Sequence, residues 1–262
     1  MNHLKRYWRL GVPSFVLPAE VSDNVLFLAD KVDDVQLLFF ESPARSRLPH
    51  QLDIELLKTL AVEHDLSYTV HLPLDLRLTS PAAVERSESV EEISRIVEKV
   101  SELSPLSFDL HLDYYHENEK EEWLRAVDFS LALLSRELGD WASRIAVENT
   151  YYPFYEVRSL VLSHGLSLCL DFGHALYYGD DIARMIEDIP QAVHIHYHGV
   201  EDRDHRVLTG RQRDLTVRIG QGMRACNYDG VFTLEVYDLA AVEKSLLELS
   251  VAWEMDSGKW KV

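Results

Sequence analysis

Eight short apolar runs recur along the chain with room for a helix between successive ones, and no other feature limits the fold as strongly. They are Leu10 to Phe15, Val35 to Phe40, Ser67 to Leu72, Ser107 to Leu112, Arg144 to Glu148, Leu166 to Asp171, Ala192 to His198 and Val231 to Val236. Each has the length of a buried strand, and parallel strands can be joined only through a crossover, usually a helix. Eight βα units in one chain predict a closed (β/α)8 barrel of the α/β class.

The segments between the runs fit this reading. From Val90 the apolar residues fall at Val90, Ile93, Val97 and Val100, a helical period, with Ser89 and Glu92 spaced as a capping box. Leu52, Leu56 and Leu60 line one face of the second crossover, while Trp123 to Leu138 and Ala240 to Leu249 supply two more helices. The first connection, Ala19 to Asp30, holds only a short helix, which leaves a doubly wound sheet as the competing arrangement. No linker, low-complexity tract or repeat beyond the βα unit interrupts the sequence, so one domain is expected over residues 1–262. At 47% hydrophobic residues a chain of this length can bury a large core.

Lysine and arginine number 26 against 44 aspartates and glutamates, and the net charge of -18 repels nucleic acid. No polynucleotide partner is therefore expected. Neither is a membrane, since no run of 18 apolar residues occurs and no apolar segment follows Met1 to Trp8. Cys169 and Cys226 lack a paired spacing, which predicts reduced thiols and a cytoplasmic protein.

Six of the strands end in a side chain able to bind metal. They contribute His71, His111, Glu148, Asp171 with His174 beyond a glycine, the run His194, His196 and His198, and Glu235. A single aspartate at a strand end is more often a helix N-cap, and a single histidine more often a satisfied core residue. Six on the carboxyl rim of one barrel would require six separate accidents. Two residues back on the inward face stand the small Ala146, Cys169 and Thr233, which places Glu148, Asp171 and Glu235 over the barrel lumen. Three buried carboxylates without lysine or arginine on their strands repel one another and are costly to desolvate, and a divalent cation relieves both problems.

Of the three histidines sharing a face on the seventh strand, His196 is the favoured ligand. Asp202, Asp204 and His205 in the loop beyond either ligate a further ion or form a solvated turn. Asp109 is placed to orient a ligand. Glu41 ends the second strand and is either a site member or part of a plain turn. Tyr114, Tyr115, Tyr151 and Tyr152, with Phe154 and Tyr155, follow strands four and five and offer flat faces as substrate walls.

With these residues in place the chain resembles the xylose-isomerase-like barrel superfamily, which also contains zinc-dependent apurinic-site endonucleases. The resemblance implies a TIM barrel in which Glu148, Asp171, His196 and Glu235 hold metal. His71, His111 and Asp171-Phe-Gly-His174 are similar to the endonuclease branch, implying two or three divalent ions per chain, zinc or manganese, with Glu148, Glu235 and His174 as catalytic residues. The chain departs from that branch at Asp202-Arg-Asp-His205 and in lacking basic DNA-gripping loops. The segments Gly11 to Glu20, Val32 to Glu41 and His71 to Leu76 resemble cobamide-remodelling phosphodiesterases. That resemblance implies metal-assisted hydrolysis of a phosphodiester in the nucleotide loop of a corrinoid, a small-molecule substrate. Two other classes stay open: a sugar isomerase or epimerase in which Glu148 and Glu235 hold one metal and shuttle a proton at carbon, and a non-catalytic metal- or corrinoid-binding protein.

Overall fold

A computed structural model describes residues 7–39, 53–114 and 120–253. Its strands are β1 (Arg9–Pro13), β2 (Asp34–Leu38), β3 (Ser67–His71), β4 (Phe108–Leu110), β5 (Ile145–Glu148), β6 (Ser167–Asp171), β7 (Ala192–Tyr197) and β8 (Val231–Leu234). All pair in parallel in sequence order, and β1 pairs with β8 to close the barrel. The doubly wound alternative is thereby excluded. Around the barrel run α1 (Val21–Leu28), α2 (Ile54–His64), α3 (Ala83–Val100), α4 (Lys120–Leu138), α5 (Phe154–Ser163), α6 (Phe172–Tyr178), α7 (Ile182–Asp188), α8 (Arg213–Ala225) and α9 (Leu239–Trp253). None is long and apolar enough to cross a membrane.

The weak first crossover is completed by a side chain. Buried Asn24 on α1 accepts hydrogen bonds from the backbone N–H groups of Val16 and Leu17 and donates to the carbonyls of Leu17, Ala19 and Glu20. One amide thus satisfies backbone groups that a longer helix would have paired internally. The capping box expected at Ser89 is absent. The helix begins at Ala83, so Ser89 lies inside it, donating to the Glu85 carbonyl at 2.9 Å and accepting from the Arg77 N–H at 2.8 Å. The start was misplaced because the first turns of α3 present no apolar stripe.

Outward-facing strand residues such as Val35, Leu37, Val147, Leu170 and Leu234 are fully buried under the helices. The inward faces are polar instead: Asp34, Gln36, Thr69, Asp109, His194, His196 and Thr233 fill the lumen without exposure to solvent. A polar lumen in an otherwise apolar barrel requires a hydrogen-bonding solution at every level. The top level is where that solution is incomplete.

Candidate metal centre

Four strand ends meet over the lumen. Glu148, Asp171, His196 and Glu235, all buried, bring one ligand atom each to within 4.8 Å of one another. His196 Nδ1 lies 3.4 Å from both Glu148 Oε2 and Glu235 Oε2. Two triads flank this set at the same spacing: His71, His111 and Glu148 on one side, and His174, His198 and His205 on the other. Glu148 belongs to the central set and the first triad, with His111 Nε2 at 3.2 Å and His71 Nε2 at 3.8 Å from its Oε2.

Local structure holds each group. Asp171 ends β6 and caps α6 by accepting the His174 N–H on Oδ1, which leaves Oδ2 for the site, so the helix-cap and ligand readings of this residue are both satisfied. Asn149 locks the strand ends, donating to the Asp171 carbonyl and accepting the Asp171 N–H. The glycine between Asp171 and His174, Gly173, lies within α6. A Cβ there would stand 2.3 Å from His198 Cε1. His198 Nδ1 accepts the His205 N–H at 2.9 Å, and the two rings stack with centroids 4.3 Å apart.

Several of these buried atoms have no hydrogen-bond partner: both Glu148 carboxylate oxygens, Asp171 Oδ2, Glu235 Oε2, His196 Nδ1, His111 Nε2 and His198 Nε2. Buried polar atoms are rarely left unpaired. Carboxylate oxygens and imidazole nitrogens converging in this way form the donor set of a divalent cation, so the residues fit a metal.

With no cation between them, the carboxylates and imidazoles of the site set one another's ionisation. Burial raises the Glu148 carboxyl, yet His196 and His111 outweigh it and hold the group well below the usual carboxylate range. Glu235 is lowered in the same way by His196 and His205, and Asp171 by His174 and His198. Burial would depress His174 and His205, but Asp171 and Glu148 push the first up to about 10, and Glu235 pushes the second up to about 9. His71 is lowered by burial and by His111, which leaves its ring neutral and able to ligate.

Asp204 enters the rim, with Oδ1 3.2 Å from His205 Nδ1 and Oδ2 3.7 Å from His174 Nε2. Asp202 does not; it is exposed and paired with Arg206 at 2.8 Å. His194 lies one level down, its ring nitrogens engaged by Asp109 and Thr233. Asp109 therefore faces β7 and not His111. Tyr114 and Tyr151 stand on the rim with ring centroids 6.4 Å apart, whereas Tyr152 and Phe154 are buried and the Tyr152 hydroxyl donates to the Glu148 carbonyl. Glu41 and Tyr115 lie outside the described residues. Reading the sequence missed Tyr178, 5.9 Å from the His174 ring, and Tyr237, whose hydroxyl donates to Glu235 Oε1 at 3.0 Å. It also missed Gln36, whose polar side chain in the apolar run of β2 was the available signal.

A parallel eight-stranded barrel with carboxylates and imidazoles converging at its carboxyl rim defines a class of metal-site barrels. The model for the Xylose isomerase-like TIM barrel family matches residues 29–251, and the chain belongs to that family. A D-tagatose 3-epimerase-like protein is similar in structure with a TM-score of 0.77 at 21% identity, covering 94% of this chain and 97% of its own. The 3-keto-D-glucoside 4-epimerase YcjR from E. coli gives 0.71 at 15% identity, covering 95% and 99%. The IolI protein with a binding zinc atom gives 0.73 at 15%, covering 94% and 98%. No curated protein matches the chain.

These findings correct the expected activity. The hydrolase reading, a phosphodiesterase that opens the nucleotide loop of a cobamide, is overturned by structural relatives that are sugar epimerases, which back the isomerase or epimerase alternative. The structure supplies a physical reason as well. Tyr152 and Phe154, two of the aromatic walls invoked for a corrinoid, are packed into the core at 2% and 1% exposure.

Proposed function

We propose that the chain is a sugar isomerase or epimerase acting as one catalytic domain, with Glu148, Asp171, His196 and Glu235 as its metal ligands. The observation that carries this reading is the pair of ionised carboxylates, Glu148 and Glu235, in one buried set with an imidazole and a third carboxylate. The epimerase names of the structural relatives support it. A divalent ion bound there supplies a Lewis acid that polarises the sugar's carbonyl and neighbouring hydroxyl oxygens.

The protein's own groups do the rest. One of Glu148 and Glu235, as carboxylate, takes the proton from the carbon beside the carbonyl and keeps it, while the other, protonated from solvent beforehand, gives its own proton to the opposite face, so the two exchange protonation states. His111 and His174 beside Glu148, with His205 and Tyr237 beside Glu235, steady their charge as protons move. Tyr114, Tyr151 and Tyr178 wall the sugar's apolar faces. The two flanking triads would take one further ion each, zinc or manganese by their donors, giving the two- or three-ion form of the site. Free Cys169 and Cys226 suit a reducing cytoplasm.

The test is incubation of metal-loaded protein with free ketoses and keto-glycosides in deuterated water. Epimerisation with deuterium entering at one carbon is expected. Tight sugar binding without exchange would select a non-catalytic binding protein.

A further inference from the structure

The tyrosines at the mouth of the barrel extend past the centre they border. Helix α6 stops after seven residues, where Gly179 takes the left-handed conformation (φ 82°) and its N–H and that of Asp180 both donate to the Ala175 carbonyl, at 3.0 and 2.9 Å. The stop leaves Tyr177 and Tyr178 together on the last turn, with ring centroids 5.0 Å apart. Tyr178 reaches inward to the His174 ring at 5.9 Å and across to Tyr151 at 6.5 Å, and Tyr151 continues to Tyr114 at 6.4 Å. Tyr114 meets buried Trp123 edge-on at 4.9 Å, which ties the far end of this arc to the core.

The arc is open where neighbouring aromatics are closed. Tyr151, Tyr177 and Tyr178 are 47%, 43% and 45% exposed, whereas Tyr152 is buried and the Tyr155 ring is covered by the Arg184 guanidinium at 3.7 Å. Open rings with a hydroxyl at the edge suit a ligand that has apolar faces and a polar rim, as a sugar ring does. A monosaccharide whose reacting carbon lies at Glu148 and Glu235 meets the inner end of the arc, at His174 and Tyr178. Tyr177 touches Tyr178 and, among the described residues, no ring of the metal centre, so one sugar leaves it uncovered.

We infer that the arc is a second subsite and that the substrate is a neutral glycoside: a ketose held at the metal centre, carrying a further sugar ring stacked outside it on Tyr177 and Tyr151. Charge decides against an anionic group in that place. Asp204 Oδ2 stands 3.7 Å from His174 Nε2, and burial together with the Asp204 charge pushes the Tyr178 hydroxyl up. Arg206 in the same loop is taken up by Asp202. With a net charge of -18 over the chain, a phosphate or carboxylate at the mouth is repelled.

This inference rests on the sugar reading of the site. Metal-loaded wild type, Tyr177→Ala, Tyr151→Ala and Phe129→Ala are titrated calorimetrically with D-fructose, with the glucosyl-fructoses joined through the fructose O4, O5 or O6 oxygen (maltulose, leucrose and isomaltulose), and with fructose 6-phosphate. At least one glucosyl-fructose is expected to bind wild type about 10-fold more tightly than fructose, and fructose 6-phosphate no more tightly than fructose. Tyr177→Ala and Tyr151→Ala are each expected to remove most of that gain, and Phe129→Ala, which removes an exposed ring on α4, to keep it. Glucosyl-fructoses that bind no better than fructose, a gain that survives in both tyrosine variants, or fructose 6-phosphate as the tightest ligand would overturn the inference while the sugar reading stands. Wild type that binds none of these sugars would overturn the inference, and the sugar reading with it if deuterium exchange into ketoses is absent too.

Discussion

His196 Nδ1 lies 3.4 Å from Glu235 Oε2, and both atoms are buried without a hydrogen-bond partner. An uncharged hydrogen bond would bring them closer, and solvent does not reach them. A cation between them and their neighbours accounts for the gap, so protein purified without chelator should carry at least one divalent ion per chain by elemental analysis. Ligand binding stabilises by mass action, about 4 kcal/mol at a thousandfold excess over Kd. For a chain of this size that raises Tm by on the order of 10 °C. Equal melting with and without chelator would count against the centre.

Glu148 and Glu235 differ in their neighbours but share one role in the proposed reaction, so each should be indispensable. Glu148→Gln and Glu235→Gln should each lower turnover by about 10²- to 10⁴-fold, the usual share of a positioned acid or base. Deuterium exchange at the reacting carbon separates the two roles: the variant missing the proton-abstracting base loses exchange from one epimer first. Near-normal turnover in either variant at full metal occupancy would remove that carboxylate from the mechanism.

The ionisation of the metal-free rim predicts how its stability varies with pH. His174 and His205 are raised to about 10 and about 9, so their contribution is complete below the ordinary imidazole value of about 6.5 and is lost as pH rises through 9 and 10. Glu148, Asp171 and Glu235 are lowered, so theirs is present above the ordinary carboxylate range and lost as pH falls through the lowered values. Stripped protein should therefore lose Tm progressively from about pH 6.5 up to pH 10. Metal-loaded protein should show a flatter alkaline limb, because ligating nitrogens carry no proton to lose. Melting curves across this range check both limbs.

The rim was legible in the sequence because strands and chemistry share a boundary. A carboxylate or histidine closing an apolar run has few places to point once eight such runs form a barrel. Glu148, Asp171, His196 and Glu235 were found in that way. Of the layer below, Asp109 and Thr233 were legible as an orienting carboxylate and an inward residue, but Gln36 was not, because its place follows only from register: Asp171 pairs with His196, and His196 in turn with Thr233, across β6, β7 and β8. The activity was misread for a different reason. Short segments resembling a corrinoid hydrolase carried no information on which side chains face the mouth, and Tyr152, counted as a wall, turns inward to the Glu148 carbonyl.

Gly173 offers a test of the rim's packing that does not depend on the reaction. A Cβ on this helical residue would meet His198 Cε1 at 2.3 Å and both ring nitrogens at 2.4 Å. The ring has little room to retreat, because its Nδ1 is held by the His205 N–H and the ring stacks on that of His205. Gly173→Ala should therefore cost about 1–3 kcal/mol through overpacking. It should also displace His198 Nε2 from its 3.4 Å approach to Asp171 Oδ2, weakening any ion held by the His174, His198 and His205 triad. Gly173→Ala with His198→Ala should recover much of the lost Tm, since the clash is gone, while metal affinity stays low. That combination is non-additive in stability, as residues in contact are expected to be. A Gly173→Ala protein that melts with wild type and binds metal equally would show that His198 does not lie against the helix.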